Sequence, residues 1–265
     1  MAKGKGRPTD QCRLCHQVRP LCDSHLLPRG MYGTFRDATD PRHVVLTANR
    51  VTRTTKQIHA HLLCDECEER FNSNGERWTL RNCLNASGKF ALRDALRAST
   101  PTLELEKHRG YPGLTPGVDV DQLVYFATSV LWRAATYDWS RIYGFGEKLD
   151  LGPYEEELRN FLLGLNEFPQ NGSMIVYVAD EDTPYAGATS PTGGRTKYNY
   201  FQYSFLIPGA RFSLLLGQSV PTDSRLMCAV RSAERVVFLT KQVREFFESA
   251  ALNLRSKLPD SELLK

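Results

Sequence analysis

The chain has 265 residues, with 34 Lys+Arg against 30 Asp+Glu, 41% hydrophobic and 24% charged residues, and seven cysteines. That length and balance support one large or two modest domains with working cores and exclude a disordered, fibrous or disulfide-dependent chain. No apolar run approaches the roughly 20 residues that span a bilayer. The opening MAKGKGRPTD is polar and basic, so the expected location is cytoplasmic, away from membrane. The net charge of +4 is unevenly spread: residues 1–110 carry 19 Lys+Arg and 12 Asp+Glu, residues 111–265 carry 15 and 18. A basic front half suits a polyanionic partner, although a surface that binds nothing can look the same.

The first element is a pair of cysteines, Cys12-Arg13-Leu14-Cys15, and its match is Cys64-Asp65-Glu66-Cys67. A two-residue gap lets both sulfurs of a pair turn toward one point, and two such pairs complete the four-thiolate shell of a structural zinc. The odd cysteine total argues against a disulfide framework, while redox or packing roles are the bland alternative. Cys22, Cys83 and Cys228 are unmatched and are expected in packing positions. His16, inside the first knuckle, reads as a loop residue or as a substitute ligand.

The interval between the pairs is too long for a compact zinc ribbon, so it must hold structure of its own. Pro20 to Gly30 is a short apolar run carrying His25 and closed by Pro28 and Gly30. A polar loop follows from Thr34 to Arg42, then strand-like segments at His43–Thr47 and Thr54–Leu63 that deliver the chain to Cys64. Acidic residues at 65, 66, 68 and 69 suit the first turn of a helix, where they meet the positive end of its dipole. The expected order is knuckle, hairpin, helix.

On those residues the sequence resembles the HNH endonuclease family, whose core is a ββα-metal finger. The pieces are Cys12/Cys15, Ser24-His25-Leu26-Leu27-Pro28, His59-Ala60-His61-Leu62-Leu63 and Cys64/Cys67-Glu68, with Phe71 and Glu76 downstream, as in a bacterial branch of the family. The resemblance covers roughly residues 10–80. It implies a general base at His25, with His59 where the family has asparagine, and a magnesium or manganese ion held by Glu68 with Asn72 one helical turn on. Two departures stand beside it: Ser24 replaces the usual acidic residue, and Glu68 supplies a hard oxygen at the position after the second pair. Histidine suits the base role because its ordinary pKa of about 6.5 leaves it able to accept a proton near neutrality. His25 reads equally as a satisfied histidine or a spare zinc ligand, and Glu68 and Glu69 as a solvated helix-stabilising pair. His59 and His61 alternate along a strand and share a face.

Arginines are dispersed through the finger, which suits backbone phosphate contacts, and Arg29 and Arg70 are the candidates for nucleic-acid contact because they flank the proposed metal. Aromatics do not interleave as a single-strand platform requires, so duplex DNA is the favoured partner.

Beyond the finger, helical composition around Phe90–Arg97 leads to a Pro/Gly-punctuated linker, Tyr111–Gly117, where a domain boundary is expected between residues 110 and 111. Asp119–Trp139 reads as a helix capped by Asp119 or Asp121, and Pro153 starts another running to about Leu165. Strand-like runs follow at Met174–Val178, Tyr198–Ile207, Arg211–Leu216, Leu226–Val230 and Val236–Leu239, then a helix near Gln242–Leu254. Asp180–Lys197 reads as a long loop. The expected fold class is α+β: a zinc-stapled ββα finger (1–110) and an accessory domain (111–265) with a mostly antiparallel sheet, serving sensing, targeting or oligomerisation with itself or a protein partner.

The expected function is metal-dependent hydrolysis of DNA phosphodiesters, for which the resemblance names restriction or phage defence as a setting. The alternative is a non-catalytic zinc module that binds nucleic acid or protein, with Ser24 marking a retired site.

Overall fold

The computed structural model describes residues 6–36, 39–47, 50–83, 90–142, 148–182, 187–230 and 234–258. Strands β1 (Thr9–Gln11), β2 (Val18–His25) and β5 (His59–Cys64) form a three-stranded antiparallel sheet in the order β1-β2-β5. The turn between β1 and β2 is the first cysteine knuckle. Between β2 and β5 lie a 3-10 turn at Arg29–Phe35 and a separate hairpin, β3 (His43–Leu46) with β4 (Val51–Thr54). The expected hairpin is thus built by the two ends of this interval, β2 and β5, with the middle folded apart.

Its register sets His25 opposite His59 and Asp23 opposite His61, after a β-bulge between Leu21 and Asp23. Side chains two residues apart on a strand share a face, so Asp23, His25, His59 and His61 gather on one side. Ser24 and Leu62 turn into the core.

The chain then enters α1 (Asp65–Phe71), one π-helical turn (Asn72–Glu76) and α2 (Arg77–Cys83). A π-turn inside a helix re-aims the side chains that follow it. Helix α3 (Ala91–Arg97) precedes β6 (Leu103–Glu104) and β7 (His108–Tyr111), and α4 (Val120–Thr136) follows. Asp119 caps α4 by accepting a hydrogen bond from the Gln122 backbone N–H at 3.1 Å. Next come α5 (Tyr154–Leu163), β8 (Gly172–Ala179), β9 (Thr192–Arg195), β10 (Phe201–Ile207), β11 (Ala210–Leu216), α6 (Thr222–Leu226), β12 (Val237–Thr240) and α7 (Val243–Arg255).

The fold is α+β, with seven α-helices among the described residues and a largely antiparallel seven-stranded sheet in the order β6-β7-β12-β8-β11-β10-β9. Among the described residues only β12 and β8 run parallel. Three expectations change here. The expected boundary at 110/111 falls inside β7, which pairs with β12 near the far end of the chain. The run Leu226–Val230 is not a strand: Pro221-Thr222-Asp223 starts α6, which ends at Leu226. The Asp180–Lys197 interval contains β9, an edge strand on β10; Thr183–Ala186 lie outside the described residues.

Helix α4 is the axis of the molecule. Nearly every residue from Val120 to Ala135 is buried, the pattern of a helix covered on all sides. On one side Phe126 meets Phe205 and Phe212 of the sheet, with ring centroids 6.1 and 5.5 Å away. On another, Trp132 meets Phe71 of α1 edge-on at 6.1 Å. Each fully buried phenylalanine contributes about 1.5–3 kcal/mol. Gly75, in the π-turn, lets α4 approach: a Cβ there would stand 2.7 Å from the Phe126 nitrogen and 2.9 Å from its Cα.

Candidate metal centre and the cavity above it

Cys12 and Cys15 come from the β1–β2 knuckle, Cys64 ends β5, and Cys67 lies in the first turns of α1. Their four sulfurs lie within 4.8 Å of one another, and the Cys15 and Cys64 sulfurs are 3.9 Å apart. A tetrahedral ion with metal–sulfur bonds of about 2.3 Å sets sulfurs about 3.8 Å apart, so the cluster fits a metal such as zinc. The knuckle is shaped by backbone bonds: Cys12 N–H donates to Gln17 at 2.9 Å, His16 N–H to Cys12 at 2.9 Å, and Arg13 N–H to Leu62 at 2.9 Å. His16 adopts a left-handed φ of 60° to close that turn, and it is not one of the clustered ligands.

The thiols of Cys12, Cys64 and Cys67 act on one another. The Cys67 thiol, then the backbone amides of Cys15, Cys64 and Leu14, hold the Cys12 thiol down to about 4. The Cys67 thiol, donating to that thiolate, is pushed up. A cation would replace the shared proton and leave all four ionised. Among the unmatched cysteines, Cys83 and Cys228 are buried as expected, whereas half-buried Cys22 donates to Asp65 at 3.0 Å.

Glu68, the residue after Cys67, lines a cavity of about 480 Å³ together with Asp23, His25, Arg29, His59, Glu76 and Arg133. The His25 Nε2 is 2.7 Å from Gln57 Oε1, and the His25 and His59 rings are 5.3 Å apart. With that oxygen accepting, the His25 proton sits on Nε2 and the lone pair on Nδ1. Burial pushes the His25 pKa below its ordinary value, against the opposing pull of Gln57, with His59, Arg133 and Arg29 lowering it further. The imidazole is therefore neutral at neutral pH. Asp23 Oδ1 lies 3.3 Å from Nδ1 of both His59 and His61 and ties the two together.

Glu68 reaches the cavity from α1. Burial raises its carboxyl above the usual range, opposed by Arg133 and by the Ser24 hydroxyl. Its Oε1 is buried without a hydrogen-bond partner. A buried, unpaired carboxylate oxygen is costly, and a hard divalent cation is a partner that would satisfy it. Ser24 is itself fully buried and accepts from the Leu63 backbone N–H at 3.1 Å.

The residue that joins cavity to core is Arg133, from α4. Its guanidinium donates to the His25 carbonyl at 2.6 Å and to Glu76 Oε1 at 2.5 Å, and lies over the Phe71 ring at 5.4 Å. The π-turn presents Glu76 to it.

The residues expected to form the site therefore divide. His25, His59, Glu68 and Arg29 line one cavity. Asn72 does not; its amide donates to Glu69 at 3.1 Å. Arg70 does not either; it donates to the Leu163 carbonyl at 3.1 Å, at the end of α5. Asp23, Gln57 and Arg133 were not anticipated. For Arg133 a signal existed, a lone charge within the apolar run Val130-Leu131-Trp132-Arg133-Ala134.

Comparisons with protein-family models, curated proteins and solved structures yield no significant match for this chain. No helix among the described residues is long and apolar enough to cross a membrane.

Proposed function

We propose that the chain is a metal-dependent, HNH-like endonuclease that hydrolyses DNA phosphodiesters, with restriction or phage defence as its setting. The observation that carries this reading is the convergence in one cavity of a neutral histidine, a second histidine tied to Asp23, and a carboxylate with one buried, unpartnered oxygen, on the helix that carries Cys67 of a zinc-capable cysteine cluster. A magnesium or manganese ion held partly by Glu68 would supply positive charge at the scissile phosphate and leaving oxygen. His25, oriented by Gln57 and by Arg133 on its carbonyl, takes a proton from water at Nδ1 as the water oxygen bonds to phosphorus. The P–O bond to the leaving sugar oxygen then breaks. Arg29 contributes positive charge at the cavity wall.

One observation favours the alternative, a zinc module that binds without cleaving. Where the family carries an acidic residue, the Ser24 hydroxyl is turned into the core and engaged by backbone. Cleavage of supercoiled plasmid with magnesium or manganese, with His25→Ala alongside, separates the two. The nuclease reading expects nicking that needs the metal and falls by at least about 100-fold in the variant, the usual scale of a lost general base. Equal activity in the two chains, or none in either, replaces it with the binding module.

A further inference from the structure

The cavity at His25 shares its Gln57 and His59 wall with a second of the same size, about 480 Å³, lined by Lys56, Gln57, His59, Arg141 and Ile142. Their electrostatics are opposite. The first sets three carboxylates, Asp23, Glu68 and Glu76, against Arg29 and Arg133. The second has Lys56 and Arg141 and, among the described residues, no carboxylate in its lining. Asp138 holds Arg141 through Nε at 3.1 Å, which leaves both Nη nitrogens outside that bond. The Arg141 side chain is 75% exposed, so an anion can reach it without stripping a buried charge of its partner. A guanidinium fork, an ammonium, an amide and an imidazole around one hollow suit phosphate oxygens.

We infer that this second cavity is an anion subsite for a nucleic-acid phosphodiester flanking the one that reaches His25. The identity of the polyanion rests on the nuclease reading; the preference for an anion stands on the lining charges alone. The subsite draws on two distant segments, the residues before β5 and the 3-10 turn Trp139–Arg141 after α4. The part of the chain beyond the finger thereby contributes directly to the substrate groove. Arg70, the finger arginine expected to contact nucleic acid, lines neither cavity.

The test is the salt dependence of binding to a fluorescein-labelled duplex oligonucleotide, read by anisotropy with no divalent cation added. Each phosphate contact contributes about −0.9 to the slope of log K against log salt, so Lys56→Gln with Arg141→Gln lowers its magnitude by about 1.8. The charge-matched pair Arg70→Gln with Arg81→Gln produces a smaller change, and zinc content and Tm show that both chains fold. An unchanged slope, an equal fall in the control pair, or no salt-dependent binding by the native chain overturns the subsite. So does loss of inorganic pyrophosphate binding with duplex affinity retained, which would assign the hollow to a free phosphate. A native chain that shows the slope effect but never cleaves plasmid keeps the subsite and removes the nuclease reading; cleavage without the slope effect does the reverse.

Discussion

The cysteine cluster and the histidine–carboxylate cavity stand on the same strands and the same helix, yet they are held together differently. The cluster is closed mainly by backbone: amides of Leu14, Cys15 and Cys64 serve the Cys12 sulfur, short backbone bonds shape the turn, and Arg159 of α5 donates to the Leu14 carbonyl at 2.6 Å. The cavity depends on Arg133, which reaches the His25 carbonyl from 108 residues away and Glu76 from 57 residues away. The first is fastened chiefly by backbone bonds within the finger, which a bound metal would reinforce. The other exists only while α4 is docked against the finger. A metal-capable knuckle can therefore survive changes that dismantle the site above it, but the reverse does not hold, because β5 and α1 carry both.

The largest effect expected is on the shared support. Cys64→Ser removes one of four thiolates from a centre of a kind whose apparent zinc affinity is about 10–16 kcal/mol in finger peptides. Loss of bound zinc by elemental analysis should accompany loss of the N-terminal fold by circular dichroism. Retention of both would mean that the cluster is not a structural centre.

Arg133→Met separates the two regions. It keeps the apolar stem over Phe71 but leaves Glu76 buried without its cation, an unpairing that costs about 3–5 kcal/mol. Urea unfolding should show that loss while zinc content stays at the native level. Adding Glu76→Leu should recover part of it, since replacing both members of a buried pair by apolar groups is far less costly than removing one. A variant that loses zinc as well would show that the cluster, too, depends on α4.

Gly75→Ala tests the docking itself. The added methyl would press on the Phe126 backbone, and overpacking of this kind costs about 1–3 kcal/mol. On the nuclease reading, plasmid cleavage should fall along with stability, because the shift that relieves the clash moves α4 and Arg133 away from His25. Unchanged stability would mean that the π-turn can slide.

The smallest effect is a pH dependence in the β3–β4 hairpin. Both ring nitrogens of His43 are buried without hydrogen-bond partners, and its ring meets Tyr32 edge-on at 5.3 Å. Burial, and then Arg36, lower its pKa. The unfolded chain takes up a proton near pH 6.5 that the folded chain resists, so stability is full above about 6.5 and falls as pH drops below it. His43→Phe should make the fall in Tm between about pH 7.5 and 5.5 shallower. An identical pH profile would assign the acid sensitivity to His25 and His108, which burial also holds below their ordinary pKa.

Much of the fold was legible from local pattern. The cap at Asp119, the helix after Pro153 and the strand runs at 174–178 and 211–216 lie where periodicity and end signals place them, because those signals act within a few residues. The run Leu226–Val230 misled because short apolar segments look alike in strand and turn. The cavity was half legible. His25, His59 and Glu68 stand beside motif residues, whereas Asn72, one turn from Glu68 in a regular helix, is turned toward Glu69 at the start of the π-turn.

What the sequence determined by itself is the two metal-capable cysteine pairs and the shared face of His59 and His61. A two-residue gap and a two-residue alternation constrain each of these with no help from distant chain, whereas the meeting of the two pairs needs the β2–β5 pairing. What only the tertiary structure decided is the partnership around them: the β2–β5 register that sets His25 against His59, the arginine that α4 brings to Glu76, and the placing of Arg141 beside Lys56. Those contacts join residues far apart in the chain, and their formation depends on packing of buried surfaces rather than on any local preference that composition or spacing records.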